Sequence, residues 1–104
     1  SAHMFEAGWD LRKTEVVNKL VDQLEASDLL SRLICLHMND SKTSLGSTHD
    51  QHEDIGKGEI GNRGLSNLIN PPKLKHLPLI LETPGQDKKG PDQKNIQAVR
   101  SLIK

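Results

Sequence analysis

The sequence has 104 residues, of which 34% are hydrophobic and 2% aromatic, and its fourteen basic and fourteen acidic residues give a formal net charge of zero. This length fits one domain or part of one, and the aromatic content is low for a self-sufficient core, because small chains bury a smaller fraction of their surface. The balanced charge excludes the strongly basic surface typical of general nucleic-acid binders, so any contact with DNA or RNA would use a local site.

The first four residues, SAHM, have two interpretations. They are either a cloning remnant, in which case His3 has no role, or natural sequence cut from a longer protein. The residues themselves leave both interpretations open.

The first long helix is predicted to begin near Thr14, which would act as its N-cap. Its apolar positions recur at helical spacing, and they are Val16, Val17, Leu20, Val21 and Leu24. The next apolar run, LICLHM at residues 33–38, is short and continuous, as in a fully buried strand. Cys35 lies within this run, so we expect a buried, reduced thiol and no disulfide.

Residues 39–59 show no sustained periodicity and are predicted to form a long loop, and loops of this length are usually functional. The segment NRGLSNLI at residues 62–69 is predicted to be a short helix that ends before Pro71.

A second buried strand is predicted for LPLILE at residues 77–82, with Pro78 near its start, where a missing N–H is tolerated. A turn rich in Pro, Gly and Lys follows at residues 84–91. The last helix carries apolar residues at helical spacing, which are Ile96, Val99, Leu102 and Ile103.

Strands separated by a helix predict parallel pairing and an α/β fold, here with two parallel strands and three helices. Two parallel strands alone would leave both outer edges unpaired and much of the apolar helix surface uncovered. We therefore expect this chain to be part of a larger domain.

No apolar stretch approaches the roughly 18 to 20 residues of a membrane span, and no secretory signal is evident at the N-terminus. We expect an intracellular protein without a membrane partner. In a prokaryote this means the cytoplasm, and in a eukaryote the nucleus or the mitochondrion.

Polar side chains stand at the ends of both predicted strands. His37 directly follows LICL, and Glu82 directly follows LPLIL. Because the carboxyl ends of parallel strands in β/α barrels form the face where active sites assemble, we expect these two side chains to converge.

The long loop after the first strand contains Asp50 and His52, whose Asp-x-His spacing places both side chains on one side of an extended segment. With His37 and Glu82 they form a set of nitrogen and oxygen donors suited to zinc or a similar divalent ion. The alternative is that these are polar residues in contact with solvent, because no tight Cys-x-x-Cys or His-Glu-x-x-His signature is present.

Gly56, Gly58 and Gly61 form a G-x-G-x-x-G string. A dinucleotide-binding fold is excluded by context, because the string does not directly follow a strand and no Rossmann unit surrounds it. The glycines are better explained as letting the backbone turn tightly beside a bound ion or phosphate, or as a flexible surface turn.

Three stretches resemble the endonuclease IV family of apurinic/apyrimidinic endonucleases (family 2, deoxyribonuclease IV). They are HMNDSKTSLGSTHDQHEDIGKGEIG, then LPLILETP after a helix, and HMFEAGWDLR near the start. The resemblance covers essentially the whole chain without a gap. It implies that residues 1–104 are the C-terminal fragment of a single TIM (β/α)8 barrel domain.

The resemblance also implies a trinuclear zinc site at the C-terminal face of the barrel. His37 and Glu82 match ligands of one zinc, and Glu82 is also the predicted catalytic residue. His3, Asp50 and His52 match the ligands of a second zinc, and the match of His3 favours SAHM as natural sequence. The remaining ligands, together with an Asp just before residue 1, would lie outside this chain.

DNA contacts are expected from residues of the long loop, which are Asn39, Ser41, Lys42 and Ser47. The family often has Arg where this chain has Thr48 and Gln51, a difference that weakens phosphate contacts but leaves zinc ligation unaffected. His49 is predicted to be a surface residue, and His76, at the opposite end of a strand, is predicted to be structural.

The function implied by the resemblance is zinc-dependent hydrolysis of the phosphodiester 5′ to abasic sites in duplex DNA, in base-excision repair, and no protein partner is implied. Two alternatives stay open: a metal-dependent sugar isomerase or epimerase built on a related barrel, and a metal-free, non-catalytic remnant. Because ligands are missing, the isolated chain is expected to be inactive and to bind zinc weakly.

Overall fold

The chain forms four α-helices and four short strands, and this computed structural model describes all 104 residues. The helices are α1 (Ala2–Glu6), α2 (Thr14–Ala26), α3 (Gly61–Ile69) and α4 (Gln93–Leu102), and a 3-10 turn covers Leu30–Arg32. The strands are β1 (Leu36–Met38), β2 (Asp40–Ser41), β3 (His52–Glu53) and β4 (Leu79–Leu81). None of the helices combines the length and the apolar character needed to cross a membrane.

The central feature of the fold is the parallel pairing of β1 with β4. Leu36 lies opposite Leu79, and His37 lies opposite Ile80. Because α3 lies between the two strands in the sequence, the predicted α/β topology is confirmed.

Both strands are shorter and less buried than the sequence predicts. Ile34 is 82% exposed, Cys35 is only half-buried, and strand pairing begins at Leu36. In β4, Ile80 is 47% exposed. The prediction of two fully buried strands is therefore wrong for this chain, because burial needs cover on both faces and neighbours on both edges, and each strand has one partner here.

The three predicted helices are present as α2, α3 and α4. Thr14 is the first helical residue and not the N-cap, which is Lys13 in an extended conformation without a side-chain cap bond. In α4, by contrast, the Asp92 side chain accepts a hydrogen bond from the Asn95 amide and caps the helix. The short α1 was not predicted, because five residues are too few to show a periodicity.

The long loop between β1 and α3 contains one small element of regular structure. β2 and β3 pair antiparallel, with Asp40 opposite Glu53 and Ser41 opposite His52. This pairing folds the far part of the loop back onto the end of β1 and so brings His52 close to the strand end.

The core is aliphatic and has one aromatic member, Phe5, which is fully buried. The most buried aliphatic side chains around it include Leu11, Met38, Leu65 and Leu68.

Helix α4 is only partly packed: its Val99 is buried, whereas Ile96 and the following Ile103 remain exposed. A groove of about 520 Å³ beside them is lined mainly by apolar residues, which include Leu77, Leu79, Leu81 and Ile69. As the sequence suggested, apolar helix and strand surface remains uncovered.

Candidate metal centre

His37 and Glu82 meet at the carboxyl ends of the two parallel strands. His37 is the middle residue of β1, and Glu82 follows β4 directly, where its amide donates to the carbonyl of Met38 at 3.1 Å. His37 Nδ1 lies 3.4 Å from Glu82 Oε1, and both side chains are about half exposed. The strand pairing therefore places an imidazole and a carboxylate side by side on an accessible rim.

Asp50 and His52 lie beside this pair. His52 Nε2 is 3.0 Å from Asp50 Oδ1, and because a carboxylate only accepts, this bond requires the proton on Nε2. The other ring nitrogen of His52, Nδ1, is 3.9 Å from Glu82 Oε1. Glu82 therefore faces both His37 and His52, and it connects the strand ends with the loop.

His3 approaches the same region from α1. It lines a small cavity of about 160 Å³ together with Asp50, Glu6, Ala7 and Thr48. The start of α1 is attached near the end of β1, because the Ala2 amide donates to Asn39 Oδ1 at 2.8 Å. The structure thus brings all five predicted ligands to one end of the parallel strands.

These side chains do not form a complete metal site by themselves. No group of three or more His, Cys, Asp or Glu side chains in the structure is arranged to hold a metal ion. The donor types nevertheless suit zinc, and two donors on one tetrahedral zinc lie about 3.3 Å apart, since each bond is about 2.0 to 2.1 Å. The separation of 3.4 Å between His37 and Glu82 matches that geometry. His52 and Asp50 instead bond directly to each other.

The four residues predicted to contact DNA differ in their accessibility. Lys42 is exposed and Ser47 is half-buried. Asn39 is 2% exposed and accepts from Ala2, and Ser41 is fully buried with its Oγ donating to Glu6 Oε2 at 2.6 Å. The side chains of Asn39 and Ser41 thus hold the loop together in this structure, and their contact with DNA stays a prediction.

Two glycines of the string, Gly58 and Gly61, lie against a buried carboxylate, Asp40. Asp40 Oδ1 accepts from the amides of Ser41 at 2.8 Å and Ile60 at 2.9 Å, and Oδ2 accepts from Gly61 at 3.1 Å. A Cβ at Gly58 would overlap the carbonyl oxygen of Ser41. The predicted tight turn is present, but in this chain it encloses Asp40, a residue that the sequence reasoning did not single out.

A second missed residue is Glu6, which is 2% exposed. Its Oε2 accepts hydrogen bonds from Ser41 and Thr43, and its Oε1 has no partner. The sequence feature that could have identified Glu6 is its position three residues after His3, because this spacing puts both residues on one face of a helix.

The remaining histidines lie apart from these contacts. His49 is exposed, as predicted, and its carbonyl oxygen lies 2.8 Å from Thr43 Oγ1. His76 is also exposed and precedes β4, at the end of the strand opposite Glu82. Neither contributes to the cluster of His37, Glu82, Asp50 and His52.

A cluster of histidine and carboxylate side chains at the carboxyl ends of parallel strands, each strand followed by a helix, is the arrangement found in β/α barrels. The fold and the position of the cluster are those expected of part of a TIM barrel.

Comparisons with known proteins agree. A family model described as xylose isomerase-like TIM barrel matches residues 1–104, so the chain belongs to this family. A Moorella thermoacetica protein named Probable endonuclease 4 is 50% identical over 84 residues, which cover 81% of this chain and 30% of that protein. A protein of the same name from Chloroflexus aggregans is 38% identical over all 104 residues and 36% of its own length.

The solved structures give the same result. The crystal structure of endonuclease IV from Thermus thermophilus matches with a TM-score of 0.79 and 33% identity, over 97% of this chain and 36% of that chain. The resemblance to endonuclease IV is therefore confirmed. This chain spans about a third of the length of the relatives that it matches.

Proposed function

We propose that the full-length protein containing this chain is a zinc-dependent endonuclease that hydrolyses the phosphodiester 5′ to abasic sites in duplex DNA. The observation that carries the proposal is the approach of Glu82 Oε1 to His37 Nδ1 at 3.4 Å and to His52 Nδ1 at 3.9 Å. This cluster lies at the barrel face where active sites form. The relatives named endonuclease 4 support the same activity.

Two zinc positions are assigned to residues of this chain. His37 and Glu82 would hold one ion, and His3, Asp50 and His52 would hold another, with further ligands supplied from outside residues 1–104. When bound, zinc supplies Lewis acidity toward the phosphodiester and lowers the pKa of water toward neutrality.

The side chains of this chain orient the site. The hydrogen bond from the Glu82 amide to β1 fixes the backbone of this residue, and its carboxylate faces both imidazoles. His52 Nε2 donates to Asp50 Oδ1, and this bond keeps the two side chains together until an ion takes the place of the shared proton. Lys42 is exposed on the same loop and would contact a DNA phosphate.

Selectivity for abasic sites follows from the energy of extruding a nucleotide. An enzyme that acts inside a duplex must move the target out of the stack, and this costs least where base pairing is already lost. Because residues 1–104 carry no net charge, their own contribution to DNA binding would be a local site and not a broad basic surface.

The second candidate is a sugar isomerase or epimerase, and the family description supports it, since it names a xylose isomerase-like barrel. A His and carboxylate metal site on the same face could also move protons on a sugar. The relatives favour the nuclease, because both sequence matches and the structural match carry endonuclease names. A metal-free remnant is the third candidate.

The test uses the full-length protein and a duplex oligonucleotide with a single tetrahydrofuran analogue of an abasic site. We expect one cut, 5′ to the analogue, which leaves a 3′-hydroxyl, and we expect no cut in the undamaged duplex. Chelation should abolish cleavage and added zinc should restore it. Turnover of aldoses without cleavage would favour the isomerase, and a protein that carries no metal would favour the remnant. The isolated 104-residue chain should not cleave the duplex.

A further inference from the structure

Glu6 is a buried carboxylate at the end of α1, and the loop that carries Asp50 and His52 bonds to it. Its Oε2 accepts from Ser41 Oγ at 2.6 Å, from Thr43 Oγ1 at 3.2 Å and from the Gln51 amide at 3.3 Å. Gln51 stands between Asp50 and His52 in the sequence. One carboxylate oxygen therefore contacts both the beginning of the loop and the Asp-x-His segment.

Two backbone hydrogen bonds strengthen the same connection. The Thr48 amide donates to the carbonyl of Glu6 at 3.1 Å, and the Gly46 amide donates to the carbonyl of Phe5 at 3.1 Å. Because Phe5 is fully buried in the core, α1 is a fixed support for the loop. His3 lies on the same helix, three residues before Glu6.

We propose that Glu6 is a positioning residue that sets the distance between His3 and the Asp50–His52 segment, and so allows the three to share one metal ion. This inference rests on the proposed function. Three hydrogen bonds from the loop converge on one oxygen of this buried side chain, so the loop is held at this point. The small cavity lined by His3, Glu6 and Asp50 lies between His3 on α1 and Asp50 on the loop, and the hydrogen bonds of Glu6 keep this space open.

The two oxygens of Glu6 differ in a way that allows a sharp test. Oε2 accepts all three hydrogen bonds from the loop, whereas Oε1 has no partner in the protein. In Glu6→Gln the amide oxygen can take the place of Oε2 and keep these bonds. In Glu6→Ala all three are lost, while the rest of α1 is unchanged.

The experiment measures zinc bound per full-length protein by competition with a chromophoric chelator, together with amide hydrogen exchange of the metal-free protein. For Glu6→Ala we expect affinity for one zinc ion to fall at least about tenfold, the scale on which outer residues affect metal sites. We also expect faster exchange across residues 47–53 and unchanged exchange in α3. Glu6→Gln should retain both properties.

A variant with a general loss of stability serves as the control. Leu74→Ala removes a buried side chain that precedes β4, at the end of that strand opposite Glu82, and it should lower the melting temperature without releasing zinc.

If wild-type protein binds zinc and Glu6→Ala keeps all of it, the inference fails while the proposed function stands. If Glu6→Gln loses zinc as Glu6→Ala does, the inference also fails, because the anchoring bonds would not be the cause. If wild-type protein binds no zinc, both fail.

Discussion

Glu82 Oε1 lies 3.4 Å from Nδ1 of His37, although 45 positions separate these residues in the sequence. The parallel register of β1 and β4 produces this proximity, since each residue lies near the carboxyl end of its strand. The pairing of β2 with β3 then adds His52 to the same carboxylate. The site thus depends on backbone pairing more than on contacts among the functional side chains.

The second zinc position can be tested by removing its loop ligands. His52→Ala should lower the zinc content of the full-length protein by one ion, because the imidazole faces both Asp50 and Glu82. Atomic absorption after exhaustive dialysis measures the content. The matched control is His49→Ala, which removes an exposed histidine three residues away and should keep all the zinc. Equal loss from both variants would argue against the assignment.

Lys42 offers a test of DNA binding that is independent of metal binding. Its side chain is exposed on the loop after β1, so Lys42→Ala should weaken binding to any duplex about equally. If Lys42 neutralises one phosphate, the slope of log K against log salt should decrease in magnitude by about 0.9. Lys75→Ala, which removes an exposed lysine near the start of β4, should leave the slope unchanged. An identical slope in both variants would exclude a phosphate contact by Lys42.

Gly58 is predicted to be required for packing the loop against β2. A Cβ there would overlap the backbone carbonyl of Ser41 and crowd the Asp40 carboxylate, and neither can move freely because both are buried. Gly58→Ala should therefore lower the free energy of unfolding by about 1 to 3 kcal/mol, as overpacking does. Urea unfolding measures this change. Lys57→Ala, at the exposed neighbouring position, should stay within about 0.5 kcal/mol of wild type.

The lowered pKa of Asp92 predicts that the stability of the folded chain depends on pH. Hydrogen bonds from the amides of Gln86 and Asn95 lower the pKa of this carboxyl below its usual value. The ionised Asp92 side chain therefore stabilises the folded state fully above the pKa of the unfolded state, which is about 4. This stabilisation is lost as the pH falls through the lower pKa of the folded state. Asp92→Ala should lower the melting temperature at pH 7, and the difference from wild type should shrink below about pH 4. A difference that stays constant from neutral pH to about pH 3 would contradict this role of the carboxylate.

The helices and the order of elements could be predicted from sequence because each helix carries its own apolar spacing. The position of His37 and Glu82 at strand ends followed from two short apolar runs. Strand length and burial could not be predicted, because they depend on neighbouring strands: Ile34 belongs to an apolar run but has no partner and is exposed.

The buried carboxylates could not be predicted from their neighbours in sequence. Asp40 is satisfied by the amides of Ile60 and Gly61, twenty or more positions away, and Glu6 by Gln51, 45 positions away. Composition marked this loop as polar and glycine-rich but could not tell which acids face solvent and which hold the backbone. For the same reason the hydrogen bond from Ser41 to Glu6 could not be predicted.

The central claim is that Glu82 and His37 act together on a metal that cleaves DNA beside an abasic site. The most direct measurement is the single-turnover rate of Glu82→Gln in the full-length protein, on a duplex with one abasic analogue and with zinc in excess. We expect cleavage to fall at least about 100-fold, because loss of a direct ligand should cost more than loss of an outer partner, which costs about 10- to 100-fold, while His76→Ala cleaves normally. A Glu82→Gln protein that cleaves at the wild-type rate would contradict the claim.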